Sequence, residues 1–141
     1  MGLIIFINMK ATIKKLLKEE LFHKDSNTQI ELLDEFVIFA CKMLGVKKPP
    51  VNLQFNRTNL VTTAAYGNKK VHVYAKDRAV VDIMRSIAHE LTHYKQDVEG
   101  RLETKNHEQN NAAGSPIENE ANYMAGEIIR KFGEQHPEIY P

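Results

Sequence analysis

The chain predicts an α+β fold, on three observations. Apolar residues recur at helical spacing in its first third and again beyond Val80. Between Val51 and Lys76 the pattern changes to the alternation of strands. The 141 residues, 43% hydrophobic and 26% charged, suit one globular domain spanning 1–141 with a modest core.

The elements follow in order. Residues 1–8, "MGLIIFIN", hold an apolar run far too short to span a bilayer, which needs about 20 residues. The run has neither the basic start nor the cleavage site of a signal peptide. It reads as an extra strand, as a frayed end, or as an extension ahead of a natural start at Met9. Residues 11–22 carry Ile13, Leu16, Leu17 and Leu21 at helical spacing, ringed by lysines that suit a solvated face. A stronger helix follows, capped at Asn27 or Thr28 and ended at Gly45, with Ile30, Leu33, Val37, Ala40 and Leu44 as its stripe. Cys41 lies beside that stripe as a core filler. The two prolines Pro49 and Pro50 then force extended chain.

"VNLQF" alternates with period two, and "LVTTAAY" and "VHVYAK" flank a hairpin turn at Gly67 to Lys70. A helical period resumes over "KDRAVVDIMRSIAHELTHYKQDVEG", with Val80, Met84, Ile87, Leu91 and Val98 inward and Gly100 just past the end. Residues 101–114 are polar and read as a loop. The last helix opens at Ser115 as N-cap with Pro116 at N1, and Glu118 at N3 completes a capping box. Gly133 and Pro137 are its expected stop, and Ile117, Ala121, Met124, Ile128 and Phe132 its stripe.

The totals exclude several classes of function. A net charge of +1 gives no field for nucleic acid, so no nucleic-acid partner is expected. One cysteine allows no internal disulfide and no cysteine-rich zinc cage, which fits a reducing compartment. A soluble, cytoplasmic protein with no membrane partner is the expectation.

One motif carries chemistry. "HELTH" sets His89 and His93 four residues apart on a helix face away from the apolar stripe. Imidazoles one turn apart can bind one zinc ion at roughly 2.0–2.1 Å, while Glu90, about 100° round the axis, can act as a general base. A chain with 6 His among its 141 residues matches HExxH by chance only about 0.02 times. Two imidazoles hold zinc poorly, so a third ligand is required. His72, His107 and the acids of the last helix are candidates. Glu118 is assigned to capping, and Glu120 begins the face that carries Tyr123 and Glu127, on a helix whose Ala121, Ala125 and Gly126 permit close packing.

"AHELTHYKQ" followed by "ENEANYMAGEII" resembles the gluzincin type of zinc metallopeptidase. Within that type it is most similar to the ImmA/IrrE-like group and its short bacteriophage-encoded members. The resemblance covers about residues 82–130. It implies a zincin-like domain, a small sheet packed on the HExxH helix, and Zn²⁺ held by His89, His93 and Glu120, the glutamate directly before the motif's alanine. It implies hydrolysis of peptide bonds by a metal-activated water with Glu90 as general base, acting on a protein or peptide substrate, in a host cytoplasm if the protein is phage-encoded. The group often has Gly or Ala where Thr92 stands, and a Met-Pro after its last helix that is absent here.

An oxyanion needs a further donor. Tyr123 is the first candidate, with His72, Tyr66 and His107 behind it. Asp97 is weighed as a partner orienting an imidazole, and "TTAAY" or "VHVYAK" as the strand that pairs with substrate. The alternative reading is a zinc-binding, non-catalytic interaction or virion-associated module. A peptide deformylase would need Cys41 as ligand, and a docking surface on Lys10 to Lys24 would lack supporting charge elsewhere.

Overall fold

The computed structural model describes residues 4–6, 26–54, 63–102 and 114–140. The helix expected over 11–22, the lysines around it and His107 lie outside the described residues. The fold is α+β. A mixed four-stranded sheet packs against helices α1 (Ser26–Leu44), α2 (Val80–Val98) and α3 (Pro116–Gln135), and a 3₁₀ turn follows at Pro137–Ile139.

The strands are β1 (Ile4–Phe6), β2 (Val51–Gln54), β3 (Ala64–Gly67) and β4 (Lys70–Tyr74), in the spatial order β1-β2-β4-β3. The first of these takes the strand reading of residues 1–8, pairing antiparallel with β2. β2 and β4 are parallel, with Val51 opposite Val71 and Leu53 opposite Val73. β3 and β4 form the expected antiparallel hairpin, Gly67 opposite Lys70. Its turn residues, Asn68 at φ 51° and Lys69 at φ 60°, both lie in the left-handed region, which makes a two-residue type I′ loop. A lysine is an unusual occupant there; its ammonium is drawn down onto Asp97 of α2 at 3.0 Å.

The pleat sorts the sheet's faces. Val51, Leu53, Val71 and Val73 are all buried in the core with Ile30, Leu33, Val37 and Ala40 of α1 and Ile83, Met84, Ile87 and Leu91 of α2. α3 closes the core through Ile128 and Phe132, whose ring meets Phe36 edge-on with centroids 5.1 Å apart. Truncating either ring to alanine costs about 3–5 kcal/mol.

Two glycines end helices as the sequence predicts, and one does not. Gly45 at φ 71° and Gly100 at φ 74° each close a Schellman turn. The amide after each reaches back to a carbonyl one turn below, Val46 N to Cys41 O at 3.0 Å and Arg101 N to Gln96 O at 2.8 Å. Gly133, by contrast, lies inside α3, which runs on to Gln135. A Cβ on Gly133 would stand 2.7 Å from the Tyr140 ring, so the glycine serves packing rather than termination. Val98, expected inward, is exposed in the last turn of α2.

Arg78 fixes how α2 leaves the sheet. It donates to the Tyr74 carbonyl at 2.6 Å, the Asp82 carbonyl at 3.0 Å and Ser86 Oγ at 2.8 Å. The end of β4 and the first turns of α2 are thereby tied together, and the helix phase that buries Ile87 and Leu91 turns His89 and His93 toward α3.

Candidate metal centre

α2 supplies two donors and α3 the third. His89 and His93, one turn apart, bring their Nε2 atoms to 3.2 Å of each other. Glu118, in the first turn of α3, sets Oε1 3.2 Å from His89 Nε2 and Oε2 2.7 Å from His93 Nε2. Among the described residues these three form a group able to hold a metal ion. Four ligands at about 2.0–2.1 Å around a tetrahedral zinc stand about 3.3 Å apart, so the donor separations already lie near those of a loaded site.

Protonation sharpens the fit. Gln96 Nε2 donates to the Ile117 carbonyl at 3.1 Å and to Glu120 Oε1 at 2.7 Å. Both partners only accept, so the amide's orientation is settled and Gln96 Oε1 faces His93 Nδ1 at 2.8 Å. The Nδ1 atom is therefore the donor to Gln96, and Nε2 is turned toward Glu118, whose Oε2 lies 2.7 Å away. Nitrogens and carboxylate oxygens from three side chains thus converge, an arrangement suited to a shared proton or a cation. Burial, and then the neighbouring His93, hold the His89 imidazole below its ordinary range against the opposing pull of Glu118 and the hydrogen-bonded Asn122. The neutral form is the one that ligates.

Glu90 is buried beside this group, and burial together with the Glu118 charge pushes its carboxyl up to about 8. Thr92, where the resembling group has Gly or Ala, is fully buried and satisfied by donating to the Ala88 carbonyl at 2.9 Å.

The structure places several of the candidates away from this group. Glu120 is not the carboxylate brought to the imidazoles. It lies about 200° round α3 from Glu118 and pairs with Arg101 at 2.8 Å and with Gln96. The capping role given to Glu118 belongs to its backbone alone: Glu118 N donates to Ser115 Oγ at 3.2 Å, which leaves the carboxylate free to turn toward α2. Tyr123 is 66% exposed, about 140° round the helix from Glu118, and is not gathered into the group. Asp97 does not orient an imidazole; it accepts from Tyr66 Oη at 2.5 Å and pairs with Lys69. That bond also occupies Tyr66 as an oxyanion donor, and His72 is engaged by Asn52 at 3.1 Å. Cys41 is buried in the core cluster. β4 lies inside the sheet, so of the two strands weighed for substrate pairing only β3 ends the sheet order.

Asn122 and Gln96 went unnoticed in the sequence, yet each had a signal. Gln96 continues the His89–His93 line at the i+3 position, and Asn122 follows Glu118 at i+4. No helix of the described residues is long and apolar enough to cross a membrane. No family of known proteins, no curated protein and no solved structure matches the chain.

Proposed function

We propose that the protein is a zinc-dependent metallopeptidase, with His89, His93 and Glu118 as the metal ligands and Glu90 as the general base. The observation that carries the reading is the convergence of two imidazole Nε2 atoms and the Glu118 carboxylate, beside a buried glutamate. A zinc ion held there supplies a Lewis acid that acidifies water and polarises a scissile carbonyl. Two imidazoles and one carboxylate are the donor set of catalytic rather than closed structural zinc sites.

The remaining chemistry falls to this chain's side chains. Glu90, poised near neutrality, accepts a proton from the attacking water and returns it to the leaving amine. Its burial keeps bulk water from competing for that proton. Asn122, hydrogen-bonded to His89, and Gln96, bonded to His93, hold the two rings in place. β3 ends the sheet beside α2 and is the strand an extended peptide would meet.

The test uses the full chain loaded with zinc and a broad library of peptides. Glu90→Gln is expected to keep one zinc per chain while cleavage falls about 10²–10⁴-fold. Equal cleavage by both proteins removes Glu90 from the mechanism. Zinc bound tightly by both, with no cleavage by either, assigns the chain to the non-catalytic zinc-binding module instead.

A further inference from the structure

We infer that Gln96 is a positioning residue: it fixes the proton of His93 on Nδ1 and so turns Nε2 to the metal centre, with Glu120 and Arg101 acting through it. The inference rests on reading His89, His93 and Glu118 as a metal centre. Its observations are nonetheless separate ones, because Gln96 touches none of the Nε2 atoms.

The argument is one of hydrogen-bond direction. Gln96 is fully buried, so both ends of its amide need partners. Reversing the amide would point Oε1 at the Ile117 carbonyl and at Glu120 Oε1, two acceptors at 3.1 and 2.7 Å. The observed orientation is therefore strongly preferred, and it presents an oxygen to His93 Nδ1. A ring held that way cannot place its proton on Nδ1 and Nε2 by turns, as a free imidazole does.

The chain of bonds continues outward. Arg101 donates to Glu120 Oε1 at 2.8 Å, the same oxygen that receives Gln96. Arg101 stands there because the Schellman turn at Gly100 reverses the chain at the end of α2. Two elements thus converge on Gln96, α3 through Ile117 and Glu120, and the turn after α2 through Arg101. A neutral amide partner sets the tautomer of His93 without placing another negative charge beside Glu118.

The tautomer can be read directly. Long-range proton–nitrogen spectra of the zinc-free chain, recorded where imidazoles are neutral, distinguish a proton on Nδ1 from one on Nε2. The wild-type chain is expected to hold His93 in the Nδ1–H form. Gln96→Leu, which keeps the volume and removes the acceptor, is expected to mix the two forms. It is also expected to weaken zinc binding about 10–100-fold in competition with a chromophoric chelator. A wild-type ring protonated on Nε2 overturns the inference without any variant, so a misfolded Gln96→Leu does not shield it. A folded Gln96→Leu with an unchanged tautomer and unchanged zinc affinity also overturns it. Failure of the metal reading is seen separately, as a wild-type chain that binds no zinc whatever its tautomer.

Discussion

Replacing Glu118 with glutamine should remove most of the stabilisation that zinc gives the protein. In the zinc-free chain the carboxylate lies 3.2 Å from His89 Nε2 and 2.7 Å from His93 Nε2, and a neutral amide of the same shape takes its place without the charge that a cation would meet. At roughly 2.1 cal/mol/K per residue, a chain of this length has an unfolding entropy of about 0.3 kcal/mol/K. Each kcal/mol then moves the midpoint about 3–4 °C. With zinc at a hundredfold its dissociation constant the wild type gains about 2.7 kcal/mol, or about 9 °C. Losing a charged ligand removes roughly a quarter of the ~10–16 kcal/mol that a four-ligand zinc site can supply, which weakens binding about 10²–10³-fold. The variant's zinc-dependent shift should then vanish at the same concentration. Differential scanning calorimetry with and without zinc reads the shift. A Glu118→Gln chain that still gains the full shift with zinc would refute the reasoning.

Three further outcomes are expected. Glu120→Ala should retain zinc with affinity lowered about 10–100-fold, because its carboxylate acts through Gln96 and does not ligate; complete loss of zinc in titration would restore Glu120 as the ligand. His72 is held below its ordinary 6.5 by burial and then by Lys70. As pH falls below 6.5 the unfolded chain therefore takes up that proton first, and stability drops until the folded value is passed. Chemical denaturation over that range should show a shallower acid slope for His72→Gln than for wild type. The Cys41 thiol is pushed up to about 11 by burial, leaving only about one in a thousand ionised at pH 8. Iodoacetamide should leave the native protein unmodified and label it once urea unfolds it, as intact mass will record.

Much of the fold was legible because the deciding signals were local. Gly45 and Gly100 stop helices through backbone geometry that few other residues adopt, and Ser115-Pro116 starts one in the same way. The HExxH spacing put His89 and His93 on one face from the sequence alone. The third donor, a carboxylate, was not legible in the same way. Glu118 at N3 uses its backbone amide for the cap and its side chain for the imidazoles, and a one-residue, one-role reading cannot hold both. A signal was there: one turn back from the buried Ala121, the line continuing through Ala125, Ile128 and Phe132 arrives at Glu118. Gly133 misled for a related reason, since the ring that occupies its missing side-chain space comes from Tyr140, after the helix has ended.

First turns of helices are where fraying begins, and α3 presents Glu118 from its first turn. The Ser115 hydroxyl holds that turn wound by accepting from Glu118 N. Removing such a hydroxyl typically loosens a helix start by about 0.5–2 kcal/mol, and here the unwinding segment would carry a ligand away with it. In the proposed metal centre the scatter of one donor atom is thus governed by an uncharged side chain three residues upstream, which would couple helix initiation to capture of a cation.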